Sequence, residues 1–453
     1  MDLHDKYKQI KGRLLIAGTN SGCGKTTVSI ALMKAFKDRG IDLCAFKCGP
    51  DYIDPMFHRA ALGLASFNLD PFFCEPEQLR GVLASHAHRL SLIEGVMGYY
   101  DGIGTEGQAS TFSVASATGT PVVLVVNVRG MYTSAGAVIR GFKDFRKDSC
   151  IRGVIFNGAS AMLYNDLKTI AENAGVKAYG YMPKVPEAEL GSRHLGLITA
   201  AEVEDLQEKL SALGKKATEC IDLDGLLELA DNAENIEFKA SETQAAGGKI
   251  RLAVASDEAF CFIYEENLEL LRKAGFDIVR FSPLHDKELP KGIGALYLPG
   301  GYPELYPLEL SQNNEMLCSV NNAISKGLPA FAECGGFMYL HDHLDGHKMV
   351  GAVGGDCFKT DRLQRFGYIT ITAKEDNLFC RKGESIRAHE FHYYDSTDPG
   401  SGFTAVKPTG RRSWECVHSS PSLYAGYPHL YLPANPSFAE NFYRKAAEYV
   451  LSE

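Results

Sequence analysis

The chain has 453 residues, more than one hydrophobic core usually holds, which favours two domains. Lys and Arg number 47 against 56 for Asp and Glu, and the net charge of −9 argues against a cationic face that binds nucleic acid. Hydrophobic residues make up 45% and charged residues 23%, which argues against a disordered or fibrous chain.

The sequence shows no pattern typical of export or membrane insertion. Its first residues, MDLHDKYKQIKGR, are polar, and no apolar run reaches membrane length. The 12 cysteines lack paired zinc-type spacing, and Cys44 and Cys48 are too isolated for a four-ligand site. We therefore expect a cytoplasmic protein with reduced thiols and no membrane partner.

Short apolar runs alternate with helical patterns through the first half of the chain. The runs are RLLIAG (13–18), CAFK (44–47), LSLIEG (90–95), PVVLVVNV (121–128) and GVIFN (153–157). Runs of this kind are buried on both faces, as in a parallel sheet covered by helices. We predict an α/β domain over residues 1–230 built on such a sheet.

A polar stretch rich in Ala, Gly and acids covers residues 231–248 and ends just before a new apolar run, KIRLAVAS. This composition predicts a linker. The alternation then restarts and later gives way to β-rich segments such as GYITITA (367–373). Residues 249–453 are predicted to form a second α/β domain with a more antiparallel end.

A glycine-rich loop, TNSGCGKT (19–26), lies between the first predicted strand and a helical pattern. Gly22 and Gly24 let backbone N–H groups face phosphate oxygens, Lys25 can reach the β- and γ-phosphates, and the Thr26 hydroxyl can bind Mg²⁺. The alternative is a glycine-rich turn that only caps a helix. The strand–loop–helix context favours a nucleoside triphosphate site.

Two further residues belong to the predicted ATP site. Thr27 follows the loop directly, and Asn157 ends a predicted strand. An asparagine in that place is equally typical of a turn. The loop departs from the usual pattern at its first position, where Thr19 replaces glycine and Gly18 lies one residue earlier.

Acidic segments follow the second and third predicted strands, KCGPDYIDPMFH (47–58) and EGVMGYYDG (94–102). The carboxyl ends of parallel strands are where open α/β sheets bind ligands, so these segments should meet the phosphate loop. Glu94 is the better candidate for a second Mg²⁺ ligand beside Thr26. The residues that could bind substrate or assist phosphoryl transfer are Lys47, Asp51, Asp54 and Asp101.

Purely structural roles for residues in the same segments are the alternative. Asp51 and Asp54 lie next to Pro and Gly, where Asp commonly shapes turns. His58 is predicted to be a helix or packing residue rather than a catalyst.

A cysteine on a strand-to-helix turn marks the second half, in AFAECGGFMYL (330–340). A sharp turn exposes the Cys334 thiol at the sheet edge, and the helix N-terminus that follows is expected to lower the thiol pKa. Backbone N–H groups of Gly300 or Gly301, with that of Gly335, could form an oxyanion hole. A buried packing cysteine is the alternative.

The nucleophile needs a base from elsewhere in the chain. His429, in AGYPHLYLPAN, follows an apolar segment late in the sequence, as a Cys…His pair allows. His389 and His392, in RAHEFHY, are rivals.

The strings FKCGPDYIDPMFH, LIEGVMGYYDG, RHLGL (193–197), AVASDEAFCFIYEENLELL, LPGGYPE, FAECGGFMYL and RAHEFHY extend across nearly the whole chain. They resemble those of the cobyrinate a,c-diamide synthase family. That family joins a P-loop domain similar to dethiobiotin synthetase to a class I glutamine amidotransferase-like domain. The resemblance implies that ATP activates the a- and c-acetate carboxylates of cobyrinate as acyl phosphates, and that glutamine or ammonia supplies the nitrogen, in cobalamin biosynthesis.

By this resemblance, Cys334 is the glutaminase nucleophile, His429 activates it, and Lys25 with Thr26 are the P-loop lysine and magnesium ligand. The resemblance adds one residue, Tyr52, to the active-site acids, which are Asp51, Asp54, Glu94 and Asp101. Tyr431 stands where the family often has a second histidine, and Asn127 where relatives often carry Asp, so neither is assigned a role. Asn157 resembles an asparagine that reads adenine.

The implied substrates are a corrinoid, glutamine and ATP, with Mg²⁺ as cofactor, and the sequence leaves a homodimer open. The same reaction on nickel sirohydrochlorin or hydrogenobyrinate is an alternative. A P-loop ATPase switch with a non-catalytic second domain is a distant one, because Asn20 stands where such switches carry a signature lysine.

Overall fold

The structure is a computed structural model, and it describes residues 7–10, 12–186, 200–239 and 249–452. The chain divides into two compact units between Ser241 and Glu242. The RHLGL string at 193–197 lies outside the described residues. Within the described ranges, none of the helices combines the length and apolar character needed to span a membrane.

A parallel sheet forms the centre of the first unit. The strands of this unit are β1 (Tyr7–Ile10), β2 (Arg13–Gly18), β3 (Leu43–Cys48), β4 (Ser66–Leu69), β5 (Leu90–Glu94), β6 (Val122–Asn127), β7 (Ile151–Asn157), β8 (Lys177–Met182) and β9 (Ile236–Lys239). β2 to β8 lie in the order β4-β3-β5-β2-β6-β7-β8, all parallel, and β1 pairs antiparallel with β9. The residues at the ends of β3, β5 and β2 therefore meet at one edge.

Helices connect these strands. They are α1 (Lys25–Asp38), α2 (Ile53–Leu62), α3 (Pro76–Ser85), α4 (Thr111–Thr118), α5 (Ser134–Phe145), α6 (Ala161–Asn173), α7 (Ala200–Cys220) and α8 (Leu223–Asp231). Local sequence sets several starts: Ser110 and Ser160 cap α4 and α6 by accepting backbone N–H groups, and α3 begins at Pro76 behind a capping box.

The central strands of the first unit are apolar because they are covered on both faces. All six residues of β2 and of β3 are buried. Leu14 and Ile16 of β2 share a core cluster with Val28 and Leu32 of α1. Each such side chain contributes about 1.5–3 kcal/mol by burial, and this packing fixes the loop between β2 and α1.

The described residues of the second unit, 249–452, form three sheets. Its strands are β10 (Ile250–Ala255), β11 (Phe276–Phe281), β12 (Ala295–Leu298), β13 (Ala330–Glu333), β14 (His343–Leu344), β15 (His347–Lys348), β16 (Asp356–Lys359), β17 (Arg365–Ala373), β18 (Ser385–His392), β19 (Tyr394–Ser396), β20 (Phe403–Val406), β21 (Ser413–Cys416), β22 (His418–Ser419), β23 (Leu423–Gly426) and β24 (His429–Leu430). The first sheet, β11-β10-β12-β13-β23-β22, is parallel except at β22.

The other two sheets give this unit its antiparallel end. The order β21-β20-β17-β18-β24 is antiparallel throughout, and β15-β14-β16-β19 is mixed. The helices are α9 (Glu265–Ala274), α10 (Pro307–Gln312), α11 (Asn314–Ser325), α12 (Gly335–Leu340) and α13 (Ser437–Ser452). The prediction of two α/β folds, the second more antiparallel, is confirmed.

Two features differ from the pattern-based expectation. β4 and β8 were not among the predicted runs, because SFNL and KAYGYM mix polar with apolar residues at the sheet edges. β9 lies inside the segment predicted as linker, and residues 240–248 of that segment lie outside the described residues.

Candidate active sites

The phosphate loop of the first unit joins β2, which ends at Gly18, to α1, which begins at Lys25. Gly24 caps α1 with φ 93°, a left-handed conformation that glycine adopts without strain. Asn157 holds the loop, because its Nδ2 donates to the carbonyl oxygen of Cys23 at 2.9 Å. Asn157 therefore lies against the loop backbone, a contact that the sequence analysis did not anticipate.

Glu94 occupies the end of β5, the strand next to β2. The Thr26 hydroxyl donates to Glu94 Oε1 at 2.6 Å, and the Lys25 ammonium lies 3.8 Å from the same oxygen. Glu94 is fully buried. The structure thus brings together the loop lysine, the loop threonine and the acid that the sequence analysis grouped as a phosphate and metal site.

Lys47, at the end of β3, is a second cation in the same cluster. Its Nζ forms an ion pair with Asp54 and lies 3.0 Å from Glu94 Oε1 and 3.8 Å from Asp51 Oδ2. Only 3% of Lys47 is exposed. A buried lysine beside three carboxylates is a costly arrangement, and such clusters are typical of functional sites.

Mutual attraction sets the charges of this cluster. Burial opposes the charge of Lys47, but Asp54, Glu94 and Asp51 outweigh it and hold the Lys47 pKa well above its ordinary value. Burial likewise opposes ionisation of Glu94, yet Lys47, His58 and Lys25 hold the Glu94 pKa well below its ordinary value. Burial raises the pKa of Asp54 to about 6, against the pull of Lys47. Glu94⁻ and Lys47⁺ are therefore present at neutral pH.

His58, predicted to be a helix or packing residue rather than a catalyst, lies on α2 and also faces this cluster. The residue is fully buried on α2, with Nε2 3.7 Å from Glu94 Oε2 and Nδ1 3.0 Å from Ser66 Oγ. A histidine on the apolar side of a helix gives no sequence signal of such a contact. Only the side-by-side placement of β3, β4 and β5 reveals it.

The remaining predicted residues of this site differ in exposure. Asp51 Oδ1 accepts N–H groups of Ile53 and Asp54, so this acid shapes the start of α2 as well as facing Lys47. Asp51 therefore makes both the hydrogen bonds expected of a turn residue and the contact with Lys47 expected of a site residue. Tyr52 is buried, Thr27 is half-buried, and exposed Asp101 accepts the N–H of Gly98 at 3.0 Å.

The donor set fits a Mg²⁺ ion at Thr26 and Glu94. Glu94 Oε1 lies 2.6 Å from the Thr26 hydroxyl oxygen, so a carboxylate oxygen and a hydroxyl oxygen are close enough to share one cation. Hydroxyl and carboxylate oxygens are the ligands that Mg²⁺ prefers, together with phosphate oxygens of a nucleotide.

Cys334 of the second unit sits on a strained turn between β13 and α12. Its φ is 45° and ψ is −102°, a conformation that few non-glycine residues adopt. The Cys334 N–H donates to the Gly426 carbonyl at 2.8 Å, which ties the turn to the end of β23. The predicted strand-to-helix turn is present in the structure.

The glycines predicted for the oxyanion hole lie around this turn. A Cβ added to Gly335 would fall 2.9 Å from the Gly301 nitrogen, so the two backbones are in close approach. A Cβ added to Gly300 would fall 2.5 Å from Cε1 of His429. Gly300, Gly301, Gly335 and His429 therefore form one contiguous group beside Cys334.

His429 is buried at the start of β24, with 2% of its surface exposed. The rival His389 pairs with it across β18 and β24, and the two rings stack 4.9 Å apart. His392 stacks on Tyr427 at 3.9 Å, with Nδ1 2.6 Å from the carbonyl oxygen of Tyr394. Of these three histidines, His429 is the one nearest to a Cβ built at Gly300.

The expected lowering of the thiol pKa is not found. Burial raises the pKa of Cys334, with a further contribution from Glu304, and the N–H of Gly335 only partly opposes this. The helix α12 has six residues, too short for a strong terminal field. Burial, with His389 and His392, also holds the His429 pKa well below its ordinary value. The resting pair is a neutral thiol and a neutral imidazole.

Family models match both units. Residues 14–198 match the CobQ/CobB/MinD/ParA nucleotide binding domain, and residues 251–436 match the CobB/CobQ-like glutamine amidotransferase domain. The first match contains the phosphate loop, Lys47 and Glu94. The second contains Cys334 and His429.

Relatives align over almost the full length of the chain, and each carries the name cobyrinate a,c-diamide synthase. The protein of Listeria innocua is 39% identical over 440 residues, 94% of this chain and 97% of the relative. That of Caldanaerobacter subterraneus is 39% identical over 429 residues, covering 92% and 94%. That of Clostridium acetobutylicum is 37% identical over 438 residues, covering 95% and 99%.

Proposed function

The chain belongs to the cobyrinate a,c-diamide synthase family, and from that premise we propose that its two units divide one amidation between them. The protein is an ATP-dependent, glutamine-hydrolysing carbon–nitrogen ligase of cobalamin biosynthesis. It converts the a- and c-acetate carboxylates of cobyrinate to amides, with a corrinoid, glutamine and ATP as substrates.

The first unit activates the carboxylate. A carboxylate resists attack by ammonia because of its charge, and phosphorylation removes this obstacle. The γ-phosphoryl group passes from ATP to a carboxylate oxygen, ADP leaves, ammonia attacks the acyl carbon, and phosphate departs. The Lys25 and Lys47 ammonium groups lie 3.8 Å and 3.0 Å from Glu94 Oε1. We propose that they stabilise the charge that accumulates on the transferring group and so lower the barrier.

Mg²⁺ is the cofactor that we propose for this unit. Thr26 and Glu94 would hold it, and it would neutralise charge on the phosphate oxygens. Asp54, Asp51, Tyr52 and Asp101 surround the same strand ends and are proposed to bind the substrate or orient Lys47. Thr27, Gly22, Gly24 and Asn157 are proposed to contact or support the nucleotide.

The second unit releases ammonia. As the Cys334 sulfur attacks the amide carbon of glutamine, its proton passes to the neutral His429, and N–H groups of Gly301 and Gly335 stabilise the oxyanion. His429 then gives the proton to the leaving nitrogen. Ammonia leaves, a γ-glutamyl thioester remains on Cys334, and water hydrolyses it to glutamate.

The observation that carries this proposal is the buried Lys47 with its three carboxylates beside the phosphate loop, because nucleotide binding alone does not require it. The test is product analysis by mass spectrometry after incubation of cobyrinate with the protein, ATP, Mg²⁺ and glutamine. Two successive exchanges of OH for NH₂ are expected, and NMR should place them on the a and c side chains.

The same experiment, run in parallel with nickel sirohydrochlorin and hydrogenobyrinate, separates the alternatives. Amidation of only one of these would keep the chemistry and change the substrate, whereas no amidation of any of the three would overturn the proposed reaction. Because ATP and glutamine are metabolites of the cytoplasm, we propose that the reaction takes place there. A homodimer is the oligomeric state that we propose to test, by sedimentation.

A further inference from the structure

Glu333 is the last residue of β13 and directly precedes Cys334. The side chain is fully buried, and each carboxyl oxygen meets one donor. Oε1 accepts the backbone N–H of Leu430 at 2.6 Å, and Oε2 accepts the hydroxyl of Tyr297 at 2.8 Å. One side chain thus joins the strand that ends at the nucleophile to the residue that follows His429.

A second side chain holds the same segment from another direction. Asn267, on α9, donates to the Leu430 carbonyl oxygen at 2.8 Å and accepts the Leu432 N–H at 2.8 Å. β24 has only two residues, and its ladder to β18 pairs only those two. Side chains rather than a long strand ladder therefore supply much of the positional restraint on His429.

A buried acid at position 333 lowers the stability of the fold, so folding alone does not explain its presence. Both donors to Glu333 are neutral, and burial raises the pKa of this carboxyl to about 8, against the bonds from Leu430 and Tyr297. An apolar residue of similar volume would avoid that cost. The position therefore requires a hydrogen-bond acceptor, which a protonated carboxyl and an amide both provide at Oε1.

We infer that Glu333 is a positioning residue for glutamine hydrolysis, which fixes the Leu430 N–H and thereby holds the His429 ring beside Gly300 and Cys334. This inference rests on the proposed roles of Cys334 and His429. Glu333 acts through the backbone of the histidine segment rather than by contact with the ring or the substrate. A small displacement of the base costs rate without changing how glutamine binds.

The test compares Glu333→Met with Glu333→Gln in the full-length protein. Methionine keeps the volume but removes the acceptor, so the glutaminase kcat should fall about 10²-fold with the glutamine KM unchanged. Glutamine keeps the acceptor and should restore kcat to within about threefold of wild type. Rates are normalised to the fraction of Cys334 labelled by a covalent glutamine analogue, so a loss of folded protein does not mimic the effect.

Ammonia-dependent amidation of cobyrinate is the internal control, and it should be unchanged in both variants. Asn267→Leu removes the other two bonds to the segment and should show the same loss of kcat, which keeps the test decisive if Glu333→Met does not fold. Wild-type kcat in Glu333→Met, or in Asn267→Leu if the former does not fold, would overturn the inference. A wild-type protein that releases no ammonia from glutamine would instead overturn the proposed function.

Discussion

The two candidate sites handle charge in opposite ways. In the first unit, Lys47 and Glu94 are fully buried or nearly so, yet both remain charged because they face each other. In the second unit, Cys334 and His429 are also buried, and there burial raises the Cys334 pKa and lowers the His429 pKa, which keeps both groups neutral. Burial is common to both sites, and in the first site the facing opposite charges outweigh it.

The chemistry of each step explains this contrast. Phosphoryl transfer begins with charged reactants, and fixed charges assembled in advance stabilise it without reorganisation. Glutamine is neutral, and a neutral thiol and imidazole acquire charge only as the sulfur attacks. A resting thiolate is therefore not required, provided that the base and the oxyanion donors are already in place.

The largest expected effect comes from replacing the nucleophile, because this change should stop glutamine hydrolysis without affecting amidation from free ammonia. Cys334→Ser should abolish glutamine-dependent amidation, a loss of at least about 10³-fold, because the hydroxyl is a far weaker nucleophile at this turn. Ammonia-dependent amidation should remain at the wild-type rate. Cys318→Ser changes an exposed cysteine and is the matched control. Intact glutamine-dependent activity in Cys334→Ser would remove the nucleophile assignment.

Glu94→Gln should affect both nitrogen sources alike. The change removes a charge that faces Lys47, Lys25 and the proposed Mg²⁺, so amidation with glutamine and with ammonia should fall about 10²- to 10³-fold. Steady-state rates with saturating ATP measure this. Glu106→Gln alters an exposed acid of the segment before α4 and serves as control. A retained ammonia-dependent rate would place Glu94 outside the reaction.

Gly300→Ala tests how closely the second site is packed. The new methyl would lie 2.5 Å from Cε1 of His429, so the ring must shift and the glutaminase kcat should fall about 10-fold or more. Gly354→Ala, where an added Cβ meets nothing within 4 Å, is the control. Ammonia-dependent amidation should not change. Equal glutaminase rates in the two variants would show that the Gly300 backbone does not confine the base.

Comparing wild type with Glu333→Gln tests whether Glu333 is protonated in the folded protein, through the pH dependence of the free energy of unfolding. The Glu333 pKa is about 8 in the folded protein against 4.5 for an ordinary Glu, so the folded state keeps a proton that the unfolded chain loses between these values. The free energy of unfolding of wild type, relative to Glu333→Gln, should therefore fall with rising pH by roughly 1 kcal/mol per pH unit across that window. Denaturant unfolding at several pH values measures this, and a constant difference would contradict it.

Asn157→Ala should give the smallest effect. Loss of the bond to Cys23 loosens the phosphate loop and should raise the KM for ATP about three- to tenfold, with little change in kcat. Asn165→Ala, at an exposed position of α6, is the control. A fall in kcat with unchanged KM would instead indicate a role in the reaction itself.

Sequence pattern was sufficient for the fold class and for the inner strands of the first parallel sheet. The continuous apolar runs predicted β2, β3, β5, β6 and β7, because strands covered on both faces leave that signature. Glu94 and Lys47 could be grouped because the carboxyl ends of neighbouring parallel strands meet. Edge strands β4 and β8 lacked the signature.

Contacts between residues far apart in the chain could not be predicted from the sequence pattern. The roles of His58, Asn157 and Glu333 arise from neighbours that are 36, 134 and 97 positions away in the chain. The predicted direction of the Cys334 pKa shift was wrong, because the sequence pattern indicates the helix after Cys334 but not the burial of the thiol. Desolvation is set by the whole fold and leaves no local pattern.

Measuring the protonation state of Cys334 tests the contrast between the two sites most directly. The measurement is the rate of iodoacetamide labelling at Cys334 across pH, read by peptide mass spectrometry. The contrast predicts slow labelling at neutral pH, with a rate that rises only in the alkaline range, above the pH at which a free cysteine reacts. A labelling rate that reaches its plateau below neutral pH would show a thiolate formed in advance and would contradict the account.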